Sequence, residues 1–66
     1  MSVMKVIEIL SESNKSWEDA TAKAIKKASK SVKNIRSAWV QDQSVRVEDG
    51  KVTAYRVNLK ITFAVD

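Results

Sequence analysis

The chain has 66 residues with no Cys, no His and a single Gly, and its 12 Lys and Arg outnumber 8 Asp and Glu for a net charge of +4. A lone domain of this length buries too little apolar surface to be comfortably stable, and without Cys or His it lacks the disulfides and ordinary zinc sites that rescue small folds, which leaves self-association. The same absences exclude thiol nucleophiles and imidazole bases, no Gly-rich phosphate loop or recognisable acid–base carboxylate pair is present, and the expectation is a protein that is not an enzyme.

Val3 to Leu10 (VMKVIEIL) is rich in β-branched and aliphatic residues and too short for a typical helix, which predicts a largely buried first strand. Lys5 and Glu8 interrupt this run and no small-residue cleavage pattern follows it, so a secretory signal is not expected. The polar stretch SESNKS reads as a linker. In it Ser16 precedes Asp19 by three residues, a capping box with Asp in the place of Glu, and a helix is expected from Trp17.

Trp17, Ala20, Ala24, Ile25, Ala28, Val32 and Ile35 then recur at three- and four-residue steps, one apolar stripe on a helix of about 17 residues. Lys23, Lys26, Lys27, Lys30 and Lys33 fill the remaining positions, and a solvated basic face explains them better than a nucleic-acid footprint. From Ile35 to Val47 the pattern is extended but its phase slips, with Ala38 and Val40 on even numbers and Val45 and Val47 on odd, which places a bulge or bend between Gln41 and Ser44.

Glu48-Asp49-Gly50-Lys51 is a tight-turn signal, because both central residues of a type I′ turn need positive φ. Val52 to Val65 alternates cleanly, with Tyr55, Val57, Leu59, Ile61, Phe63 and Val65 on one side and Arg56, Asn58, Lys60 and Thr62 on the other. The expected fold is α+β, in the order β-α-β-β: one domain over residues 1–66, with a three-stranded antiparallel sheet partly wrapped around one helix.

About 17 helical residues span roughly 26 Å, whereas a strand of about 14 spans roughly 46 Å. One helix cannot cover such a sheet, and the apolar end around Phe63 to Val65 together with the open sheet edges becomes an interface in a closed homo-oligomer. No apolar stretch approaches the roughly 20 residues that cross a bilayer, so neither membrane nor nucleic acid is an expected partner and a cytoplasmic location is expected.

MSVMKVIEIL, SWEDA at the helix start, KNIRSAWVQDQ into the second strand and TAYRVNLKITF in the third together resemble the dodecins over essentially the whole chain. The resemblance implies a hollow homododecamer that stores flavin, FMN or riboflavin, stacked in pairs between symmetry-related Trp residues. Alignment with the flavin-binding members puts Ser37 where their stacking Trp stands, and Arg56 where a Gln hydrogen-bonds the flavin ring. Asp42 matches an acidic position beside the ligand tail. Trp39, two residues beyond Ser37 and on the same side of the strand, is the candidate for a displaced stacking platform, against ordinary packing at a subunit contact. Ser37, Trp39, Asp42 and Arg56 are thus the candidate ligand contacts.

Arg36, Arg46 and Arg56 are candidate clamps for a ligand phosphate. The alternative implied by the resemblance is a shell that binds no flavin and takes a cation such as calcium, or magnesium. Trp17 reads as an anchor that pins the helix start onto the sheet.

Overall fold

The computed structural model describes residues 3–65. Four elements follow one another: β1 (Met4–Ser13), α1 (Trp17–Ala28), β2 (Ile35–Glu48) and β3 (Lys51–Ala64). The strands form one antiparallel sheet in the order β1-β3-β2, so the most regularly alternating segment is the central strand.

β1 runs three residues further than the aliphatic run suggested. Ser11, Glu12 and Ser13 pair with Val57, Arg56 and Tyr55, because the long central strand offers a backbone partner to polar residues that propensity alone reads as linker. At the helix start Ser16 is extended (φ −170°) and its Oγ accepts from the Asp19 amide at 2.9 Å, as the capping signal required. The reciprocal half of the box does not form. The Asp19 carboxylate instead accepts from Ser13 Oγ at 2.5 Å and pairs with Lys23 at 3.1 Å, tying the end of β1 to the first turn of α1.

The helix is shorter than its apolar stripe. It ends at Ala28, is capped by Ser29, and the chain turns through Asn34 at φ +64° into β2. Val32 still donates its amide to Ala28 O at 2.8 Å and stays half-buried, so the stripe continues for packing reasons after the helix has stopped. Ser29, Ser31 and Asn34 favour caps and turns over helix interior, and they win here.

Twelve helical residues span about 18 Å, against a molecule 50 Å long and 19 by 14 Å across. α1 lies on β1 and β3. Its buried Ala20 and Ala24 allow close approach to Val57 and Leu59, with Ile9 and Trp17 completing the core. Val57, Leu59 and Ile61 are fully buried, and each contributes about 1.5–3 kcal/mol by leaving water.

The hairpin turn has Asp49 at φ +52° and Gly50 at φ +74°, both positive as the tight turn demands. Register breaks fall between Ile35 and Ser37, Val40 and Asp42, and Arg46 and Val47. The break at Gln41 is the one that the phase slip implied; it lets Ala38, Val40 and Val45 all face the helix side. The uncovered apolar surface, however, is not centred on Phe63 to Val65. Phe63 is half-buried and Ala64 buried, leaving only Val65 exposed there, while Trp39, Val40, Val45, Val47 and Val52 on the hairpin and Val3, Met4, Val6 and Leu10 at β1 are exposed.

Candidate functional site

Strand alternation divides the sheet into two faces. The helix face carries Ile9, Val57 and Leu59. The opposite face is set by the even-numbered residues of β3 and their partners: Thr62 opposite Ser37, Lys60 opposite Trp39, Asn58 opposite Asp42, and Arg56 opposite Ser44. All four candidate ligand contacts, Ser37, Trp39, Asp42 and Arg56, therefore stand on the one face that α1 leaves open. The Gln41 bulge is what achieves this, because without it Asp42 would point to the same side as Val40.

Sharing a face does not make them one cluster. Thr62 and Arg56, which mark the two ends of the row, are six residues apart on β3, about 20 Å at strand rise. Ser37 and Arg56 of the same copy cannot both touch one small ligand.

At the Ser37 end, Ser37 Oγ and Thr62 Oγ1 share a hydrogen bond of 2.6 Å, and Thr62 also donates to the Ser37 carbonyl at 3.3 Å. This cross-strand pair is satisfied locally and offers no π-surface. Next along, Trp39 is 47% exposed. It is the aromatic on this face, since Trp17 and Tyr55 meet edge-on across the helix face with centroids 5.1 Å apart.

Trp17 also donates its Nε1–H to Ser44 O at 3.0 Å, so it does pin the helix start to the sheet, reaching as far as β2. A groove of about 450 Å³ opens beside it, lined by Trp17, Glu18, Thr21, Ala22, Val40 and Gln43.

In the middle of the row, Asn58 Oδ1 is buried with no hydrogen-bond partner among the described residues, directly across the ladder from Asp42. At the far end Glu12 of β1 gathers two guanidinium groups. Arg46 Nη2 lies 2.9 and 3.0 Å from its two carboxylate oxygens, and Arg56 Nε 3.5 Å from Oε1. Of the three arginines considered as a clamp, Arg46 and Arg56 converge while Arg36 sits exposed at the first register break.

Asn58 and the convergence on Glu12 were not legible as site features, because the register of β1 against β3 is not written in either strand. Among the described residues no group of three or more Asp and Glu side chains comes together to hold a metal ion, and no helix is long and apolar enough to cross a membrane.

A family profile described as Dodecin matches residues 3–66. The chain is 47% identical over 64 residues to calcium dodecin of Mycobacterium tuberculosis, covering 96% of this chain and 89% of that protein. Among solved structures, the dodecin of Streptomyces coelicolor superposes with a TM-score of 0.93 at 25% identity, over 98% of this chain and 93% of that one.

A structure of the calcium-chelating calcium dodecin of Mycobacterium tuberculosis, described with a novel calcium-binding site, gives a TM-score of 0.85 at 42% identity, again over 98% and 93%. The order of elements, the three-stranded antiparallel sheet and the single helix agree with these folds. On the match along nearly its whole length, this chain belongs to the dodecin family.

Proposed function

We propose that this protein is one subunit of a closed homododecameric shell that holds a small ligand where copies meet, by burial and coordination and not by chemistry, and that the ligand is a divalent cation such as calcium. The observation that carries the reading is the polar row of the open face, about 20 Å long, in which the Asp42 carboxylate stands directly across the ladder from Asn58. A hard cation takes six to eight oxygens.

One chain supplies two neighbouring candidates, the Asp42 carboxylate and the unpartnered Asn58 Oδ1 across the ladder from it. Symmetry-related copies supply the rest. The 47% identity to a calcium dodecin favours calcium over flavin, as does a satisfied Ser37–Thr62 pair where the flavin-binding members stack a Trp.

Calcium titration followed by calorimetry tests this directly. Saturable binding to the assembled protein that falls at least about tenfold in Asp42→Asn, the scale of losing one charged ligand, supports it. No saturable heat in the wild-type protein contradicts it.

A second reading, storage of FMN or riboflavin, is favoured by one feature: Trp39 presents a half-exposed indole on the same face as Ser37, Asp42 and Arg56. In that case added flavin is quenched in the wild-type assembly, and Trp39→Ala abolishes the quenching while leaving the assembly intact. Quenching that survives the substitution removes Trp39 from the site.

A further inference from the structure

We infer that Asp49 is a site of spontaneous backbone rearrangement, at which the hairpin tip ages by conversion of aspartate to isoaspartate without an enzyme. The reaction needs a carboxylate one residue before a peptide nitrogen that is both unhindered and unengaged. The chain's single Gly follows Asp49, so no Cβ stands beside the attacking nitrogen. Nothing lies within 4 Å of a Cβ built on Gly50, and residues 48–53 are all exposed, so water reaches the tip.

The Gly50 N–H makes no backbone hydrogen bond among the described residues, because in a two-residue hairpin loop only the flanking pair, here Glu48 and Lys51, belongs to the ladder. Among the same residues the Asp49 carboxylate forms no ion pair and no hydrogen bond, although its neighbour Glu48 accepts from Thr53 Oγ1 at 3.3 Å. The other described aspartates lack this freedom. Ser13 and Lys23 hold the Asp19 carboxylate, and the nitrogen after it, that of Ala20, donates to Ser16 O at 3.1 Å. Asp42 is followed by Gln43, which is paired with Val57 in the ladder.

In the first step the Gly50 nitrogen attacks Asp49 Cγ. A C–N bond forms, one carboxyl oxygen leaves as water with the amide proton and a proton from solvent, and a five-membered succinimide results. Water then opens the ring. Opening at the side-chain carbonyl restores aspartate; opening at the main-chain carbonyl gives isoaspartate, with the chain running through Cγ and no net change in mass.

Asp49 sits at φ +52°, and turning the Gly50 nitrogen toward Cγ takes it out of the left-handed turn, so the tip opens for each event. The product carries an extra methylene in the main chain. A two-residue turn cannot absorb it and keep Glu48 opposite Lys51.

The test is incubation of the intact assembly for weeks at physiological temperature and neutral pH, followed by separation of the aspartyl and isoaspartyl forms of the tryptic peptide 47–51. Isoaspartate is expected at Asp49 and not at Asp19 or Asp42, more slowly than in a free peptide of the same sequence. Gly50→Ala, which puts a methyl group beside the nitrogen, is expected to suppress it severalfold. Asp49→Asn closes the same ring with loss of ammonia and is expected to convert faster than the wild type.

No isoaspartate at Asp49 while the free peptide converts overturns the proposal, as does an even spread over the three aspartates. Equal conversion in Gly50→Ala, or an Asp49→Asn variant that keeps its ammonia, also overturns it. Variants are compared at the same particle mass, so that unfolding is not mistaken for reactivity.

Discussion

Ser13 shows how a single polar residue is made affordable in a small core. It is buried, yet its hydroxyl donates to Asp19 and accepts from the Lys15 amide at 2.9 Å, so nothing is left unpaired. The Ser13 bond, and after it the Lys23 ammonium, hold the Asp19 carboxyl below its ordinary range. Because the folded value is the lower one, the stability this carboxylate adds is fully present above the unfolded value of about 3.9 and is lost as pH falls through the folded value.

Asp19→Asn should therefore unfold at lower urea than wild type at pH 7, and the gap should close as pH drops below 4. A gap that stays constant down to acid pH would mean that the charge is not what Asp19 contributes. At this scale the sequence disclosed the Ser16 cap and the Trp17 anchor, because both depend on local spacing. It did not disclose the Glu12–Arg46 pair, whose members lie 34 residues apart and meet only through the sheet.

Among the elements, the hairpin and the helix differ in how much of them could be read in advance. Asp49-Gly50 predicts its turn because positive φ is a strict backbone demand, and both residues meet it. Nothing lies within 4 Å of a Cβ built on Gly50, so Gly50→Ala should cost about 1–2 kcal/mol through the left-handed backbone alone, with Gly50→Asn costing less. Thermal unfolding of the two variants checks this, and equal losses would point to a cause other than φ.

The Gln41 bulge was legible for a similar reason: period-two alternation cannot change phase without an extra residue. The same rule applied to Ile35 and Ala38, which also differ in parity, accounts for the first register break at Arg36. The helix end was not legible, since Val32 keeps the apolar period while the backbone has already turned.

For the whole molecule, the decisive disproportion is between a 12-residue helix and two 14-residue strands. Every described residue of β2 except Ile35 is exposed, Trp39, Val40, Val45 and Val47 among them, and Leu10 on β1 is 67% exposed. So many large apolar side chains left exposed on both edge strands favour burial against further copies, and homo-oligomer contacts are the ones richest in apolar area.

The helix and strand lengths expected from the sequence implied uncovered apolar surface around Phe63 to Val65 and at the open sheet edges; most of it lies along the two edge strands, β2 and β1, with Val65 exposed as well. Val40→Asp, at the helix-side surface of β2 and remote from the Glu12 cluster, is expected to leave the circular dichroism spectrum largely unchanged while reducing particle mass. Retention of full mass would place the contact elsewhere.

Light scattering of the purified protein measures the assembly directly. A particle of about twelve times the 7.4 kDa chain mass is the predicted result, whereas a stable folded monomer at 7.4 kDa would contradict both the shell and every site that depends on copies meeting.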